Sequence, residues 1–241
     1  MDNFRIIRFL SSVFTPELNI TSSLRFINTI NDLLGDILGD NPTVLPVPQD
    51  SPAEIPRIQC LSPDKKWNLS VSLERTNLVY FYPSISEKKV MEIEKFSSIS
   101  SRFFSEYQKK LDLAVQRLAL VTDRILPHQD ASDCIIDKFC RNEYRQEGRP
   151  FNNVRRFEIH SLKKYDWEDF HVNSWVRIKS MDYKLIDEYE ESVRVISVVN
   201  DLNTLPFSED QERKFLPKDI NRYFERIPNH LNEILSKYFT G

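Results

Sequence analysis

The segment Arg57–Tyr82, RIQCLSPDKKWNLSVSLERTNLVYFY, decides how this chain is read. Within it Trp67, Leu69, Val71 and Leu73 alternate with Asn68, Ser70 and Ser72. That period of two predicts a strand with one face buried and one face wet. Arg57–Leu61 predicts a strand before it, closed by a Ser62-Pro-Asp-Lys65 turn, and Asn77–Tyr82 predicts a third. The three make an antiparallel meander.

Working outward, Phe4–Phe14 has the branched and aromatic content of a strand, ended by Pro16. Leu24, Ile27, Ile30, Leu33, Leu34 and Ile37 recur at helical spacing over Thr21–Leu38, with Thr21 or Ser22 as N-cap and Gly39-Asp-Asn-Pro42 as the stop. Pro42–Pro56 carries five of the thirteen prolines and reads as an extended connector. Downstream of the meander, Ser86–Lys110 predicts a long amphipathic helix through Val90, Ile93, Phe96, Ile99, Phe103, Phe104 and Tyr107.

The order then starts again. Leu111–Leu126 predicts a strand, Ser132–Asn142 a short helix and Arg141–Pro150 a charged connector. Strands are expected over Asn153–Leu162, Phe170–Tyr183 and Ser192–Asn203, then a helix from Ser208 to Phe239 kinked or divided at Pro217 and Pro228. The expected fold is α+β, mostly antiparallel sheet with two long helices packed on it. It is built from two β-α-β-β-β-α halves, residues 1–110 and 111–241, forming one compact unit. The halves do not align residue by residue, so the duplication rests on element order.

Composition excludes several activities. Average usage of ~7% would place about 17 glycines in 241 residues, and there are four. A Walker loop, a dinucleotide fingerprint, a kinase Gly-rich loop and a Gly-x-Ser-x-Gly elbow are all absent. The three cysteines, Cys60, Cys134 and Cys140, stand at no metal-ligand spacing, and with no secretory leader pattern they fit a reducing cytoplasm. The four histidines form no helical His-x-x-x-His pair, so neither metal nor cofactor is expected. No apolar run approaches ~18 residues, so no membrane span is expected.

Two surfaces hold candidate chemistry. If Leu162 pairs near His171, Arg156, Glu158 and His160 face His171, Asn173, Arg177 and Lys179 across a hairpin whose link is Lys163–Asp169. His160, His171 and Glu158 would then serve acid–base work, on a phosphodiester for example. The competing reading is the solvated face of a sheet whose other face, Phe157, Ile159, Val172, Val176 and Ile178, is core. The second surface is the basic window Arg141–Lys164, in a chain of net charge -3. Arg145, Arg149, Arg155, Arg156, Lys163 and Lys164, with Arg177 nearby and aromatics interleaved, are the candidates for nucleic-acid contact. Glu143 and Glu147 interrupt that stripe. The apolar stripe from Phe215 to Phe239 suits core packing and docking of a second copy.

Ile55–Pro83, the long helix after it, Val115–Pro127 and Val193–Pro206 together resemble a sporadically distributed bacterial family of about this length whose function is uncharacterised. In that family an Arg-containing strand follows the long helix, and Val115–Ile125 stands in its place. Val121-Thr-Asp-Arg124 departs from the family's aromatic and Asn positions. The resemblance brings no catalytic residues. Its scattered occurrence implies a role in bacterial defence or toxin control, and together with the absent catalytic motifs and the low glycine content leads to the expectation of a non-catalytic interaction subunit of such a complex, with a protein partner or a second copy.

Overall fold

Alternating side chains put the apolar half of each strand under helices and leave the other half uncovered, that is, with no helix on it among the described residues. The computed structural model describes residues 4–16, 18, 20, 23–39, 42–82, 91–184, 192–205 and 214–239. The strands are β1 (Arg5–Phe14), β2 (Thr43–Val44), β3 (Ile58–Leu61), β4 (Trp67–Val71), β5 (Arg75–Phe81), β6 (Arg117–Pro127), β7 (Glu158–Trp167), β8 (Phe170–Lys184) and β9 (Ser192–Thr204). The helices are α1 (Ser23–Leu38), α2 (Ile93–Leu111), α3 (Ala131–Phe139) and α4 (Pro217–Phe239). The fold is α+β, and the strands form one sheet in the order β2-β3-β4-β5-β1-β6-β9-β8-β7. Every pairing is antiparallel.

All four described helices lie on one side. Phe9 of β1 stacks on Phe96 of α2 at 4.9 Å, and Ser11 bonds Ser100 at 2.8 Å. Phe26 of α1 meets Tyr107 of α2 edge-on, and Ser132 of α3 bonds Ser180 of β8. Tyr223 of α4 donates to the Leu202 carbonyl of β9. Helices α2 and α4 lie against each other, bridged by Ser101 to Asn221 at 2.9 Å, and Gln108 of α2 donates to the carbonyl of Phe215, two residues before α4, at 2.5 Å. Buried serines at 97, 101 and 105 keep this face of α2 narrow enough for close approach.

Several boundaries differ from expectation, each for a local reason. Helix α2 begins at Ile93, not in the Ser86 region, whose residues 86–90 lie outside those described. It runs through Leu111, where the next strand was expected, and ends because Asp112 turns into the left-handed region (φ 54). The following strand accordingly starts at Arg117. Pro217 does not kink α4; it opens the helix, where its missing N–H costs nothing. Pro228 lies inside a helix that continues past it, so α4 is not divided there. Among the described residues no helix is long and apolar enough to cross a membrane.

Candidate functional site

Cross-strand partners share a face, so the register lays the uncovered side of the sheet out in rows. One row reads Leu61, Asn68, Val79, Leu10, Val121, Asp201, Trp175 and Leu162 from β3 to β7. Beside it runs an amide and hydroxyl row of Gln59, Ser70, Asn77, Ser12, Ala119, Asn203, Asn173 and Lys164. Its members bond one another: Ser12 donates to Asn77 at 2.7 Å, and Asn173 donates to Asn203 at 3.3 Å. Arg117 reaches the same Asn203 oxygen at 2.7 Å while its guanidinium lies over Phe14, 4.9 Å from the ring centroid. On the other flank stand Phe81, Arg8, Asp123, Val199, Arg177 and His160. A mostly apolar row, interrupted by Asn68 and Asp201, thus runs between two rows that are mostly polar.

The long hairpin corrects the expected register. Strand β7 continues to Trp167, through residues expected to be the link, and the turn is Glu168-Asp169 with Glu168 at φ 52. Leu162 therefore pairs with Trp175, and His171 pairs with Asp166. The expected face is right, because Glu158, His160, His171 and Arg177 all point to the uncovered side. The two histidines are nonetheless about 20 Å apart along the ribbon, six residues at ~3.3 Å each. Each has its own carboxylate: His160 bonds Glu158 at 2.5 Å, and His171 bonds Asp166. The pair is not one acid–base centre. The expected inner face does pack inward, with Val172, Val176 and Ile178 buried.

The basic window is scattered over several surfaces. Arg145 pairs with Asp133 and Asp137 of α3, Arg141 with Glu143, and Arg156 with Asp182. Arg149 belongs to a turn closed by its N–H on the Gln146 carbonyl, and the Arg155 carbonyl accepts from Ser132. Lys164 points to the uncovered face, whereas Lys163 lies over Tyr165 on the helix side. Arg177 sits over the Trp175 ring at 4.8 Å, on the uncovered face.

Among the groups whose ionisation burial shifts are Asp123 and Cys60. Burial raises the Asp123 carboxyl above its ordinary range, although Arg8 lies 2.8 Å away and opposes the shift. Burial alone pushes the Cys60 thiol up to about 11, which keeps it protonated and unreactive. Cys60, Cys134 and Cys140 are all free thiols. Among the described residues no three His, Cys, Asp or Glu side chains gather as metal ligands.

The rows of the uncovered face escaped sequence reasoning because their members come from strands far apart in the chain. Leu10, Val79 and Val121 sit in runs apolar on both faces, so periodicity does not say which side is covered. Comparison of the chain with protein families, with curated proteins and with solved structures finds no match.

Proposed function

We propose that this chain is a non-catalytic interaction subunit whose uncovered sheet face is its contact surface. The observation that carries the reading is the packing of all four described helices on the opposite side. It leaves a mostly apolar row that holds Trp175, with Arg177 of the adjacent row over its ring, residue types that anchor protein interfaces. The partner is a protein, as a second copy or within a hetero-complex. A cytoplasmic bacterial setting, in defence or toxin control, draws on the family resemblance alone.

The same reading takes the chain as two related β-α-β-β-β-α halves, 1–110 and 111–241. Its support is the strand order: from the central β1–β6 pair, β5, β4 and β3 run outward on one side and β9, β8 and β7 on the other. Each half also closes with one of the two helices, α2 and α4, that lie together.

Photocrosslinking tests the contact surface. A benzophenone amino acid at Leu162 or Phe81, exposed on the uncovered face, is expected to trap a protein in cells. The same group at Leu24 or Leu216, exposed elsewhere, serves as control. Crosslinks confined to the control sites, or none with a monomer in sedimentation, would refute the reading.

A further inference from the structure

The two edges of the sheet are unlike. Strand β2 is two residues long, and Pro42, Pro46 and Pro48 stand around it, so it offers little free backbone. Strand β7 is ten residues long, holds no proline and keeps an unbroken register with β8. An edge of that kind is a template for another strand.

The pairing with β8 shows which backbone groups that edge presents. The Phe157 carbonyl accepts from the Ser180 N–H at 3.0 Å, so Phe157 turns its backbone toward β8. Alternation along the ladder turns Ile159, Ser161, Lys163, Tyr165 and Trp167 the same way. Glu158, His160, Leu162, Lys164 and Asp166 therefore aim their N–H and C=O groups outward, and among the described residues nothing bonds those groups. Their side chains are exposed on the uncovered face. Helix α4 meets β7 on the other side, where Tyr238 donates to Ser161 at 2.8 Å and His230 bonds Tyr165 at 2.7 Å.

A second copy suits this edge in one register. A hydrogen-bonded pair needs outward groups on both strands, so the outward set of one copy faces the same set of the other about a two-fold axis. With the axis at Ser161, Glu158 lies opposite the partner's Lys164, His160 lies opposite the partner's Leu162, and symmetry repeats both pairs. Other centres oppose like charges, which destabilises a strand pair. An axis at Leu162 sets Glu158 against the partner's Asp166. An axis at Lys163 or Lys164 sets that lysine against itself, and one at His160 sets Lys164 against the partner's Arg156. We propose that the chain forms a two-fold dimer through β7, centred on Ser161, which joins two nine-stranded sheets into one. The helices of both copies then lie on one side and the uncovered faces run together on the other. The pairing uses the edge and not the face, so it goes beyond the contact surface and stands or falls apart from it.

Sedimentation of the full chain at low salt tests the dimer. A dimer is expected at micromolar concentration. Lys164→Glu places like charges at both Glu158 pairs, and Glu158→Lys does so at both Lys164 pairs. Each is expected to weaken dimerisation at least tenfold, with the circular dichroism of the fold unchanged because both side chains are exposed. The double variant opposes unlike charges again and is expected to return to within threefold of the parent. Mixing the two single variants also opposes unlike charges in both pairs, so a mixed dimer is expected. A monomer at high micromolar concentration overturns the proposal, as does a dimer that neither reversal weakens. Reversals rescued by neither the double variant nor the mixture overturn it too. A monomer that still crosslinks a protein from Phe81, on β5, refutes this dimer and leaves the contact face standing.

Discussion

The hydroxyl of Ser97 on α2 donates to the backbone carbonyl of Phe224 on α4, four residues before Pro228. In an uninterrupted helix the residue 228 N–H would serve that carbonyl, and proline has none. Both groups are buried, so an unmade bond would go unpaid by water. A neighbouring helix thus supplies the donor that α4 lacks.

Ser97→Ala is expected to lower unfolding free energy by about 1–3 kcal/mol, the cost of stranding a buried acceptor. In a Pro228→Ala background the helix supplies its own donor, and the loss from Ser97→Ala should shrink to less than half. Urea denaturation of the four proteins gives the coupling directly. Equal losses in both backgrounds would mean that Ser97 acts through packing and not through Phe224.

Phe96→Ala is expected to cost about 3–5 kcal/mol. Its ring is fully buried, stacked on Phe9 at 4.9 Å and on Trp67 at 5.8 Å, so truncation opens a cavity where sheet and helix meet. Leu162→Ser, at a side chain 47% exposed on the uncovered face, should stay within about 0.5 kcal/mol of the parent. Thermal and urea unfolding distinguish the two. A large loss from Leu162→Ser would mean that this part of the face is covered.

These contrasts show what was legible in the sequence. Trp67, Leu69 and Val71 announce their strand because one face is buried and the other polar, and the structure buries all three. Ser97 and Ser101 carry no such signal: a serine reads as solvent-facing, and only the neighbouring α4 makes it an interior donor. The hairpin register was equally hidden. Both Lys163–Asp169 as a loop and Glu168-Asp169 as a two-residue turn satisfy the alternation of the flanking residues. Choosing between them decides whether His160 and His171 meet. Arg8, Asp123 and Phe81 converge only through the order β5-β1-β6, which local pattern does not encode.

Cys60 makes stability fall at alkaline pH. Its folded thiol is pushed up to about 11 from an ordinary 9.0, so between those values the native state holds a proton that the unfolded chain has released. Folding stability is therefore highest below about pH 9 and declines as pH rises toward 11. Burial also raises Tyr107 and Tyr223, so the parent protein alone does not isolate the thiol. The difference between parent and Cys60→Ala does: Cys60→Ala should lose less stability between pH 8 and 11 in urea titrations. Parallel pH profiles would show that the thiol titrates alike in both states.

Trp175 and Arg177 give the strongest test of the contact surface. Both side chains lie on the uncovered face, with the guanidinium over the indole at 4.8 Å, which presents a flat cationic and aromatic patch along the mostly apolar row. A partner that covers this patch desolvates both groups at once, the circumstance in which Trp and Arg contribute most to binding. Trp175→Ala and Arg177→Ala are each expected to weaken capture of the crosslinked partner at least tenfold, while unfolding free energy changes by less than about 1 kcal/mol. Arg226→Ala provides the control, because Arg226 pairs with Glu168 at 2.6 Å on the helix side. Titration of purified partner against the three variants reads the result. If Arg226→Ala weakens binding and the other two do not, the partner docks on the helices, and the uncovered sheet is not the contact surface.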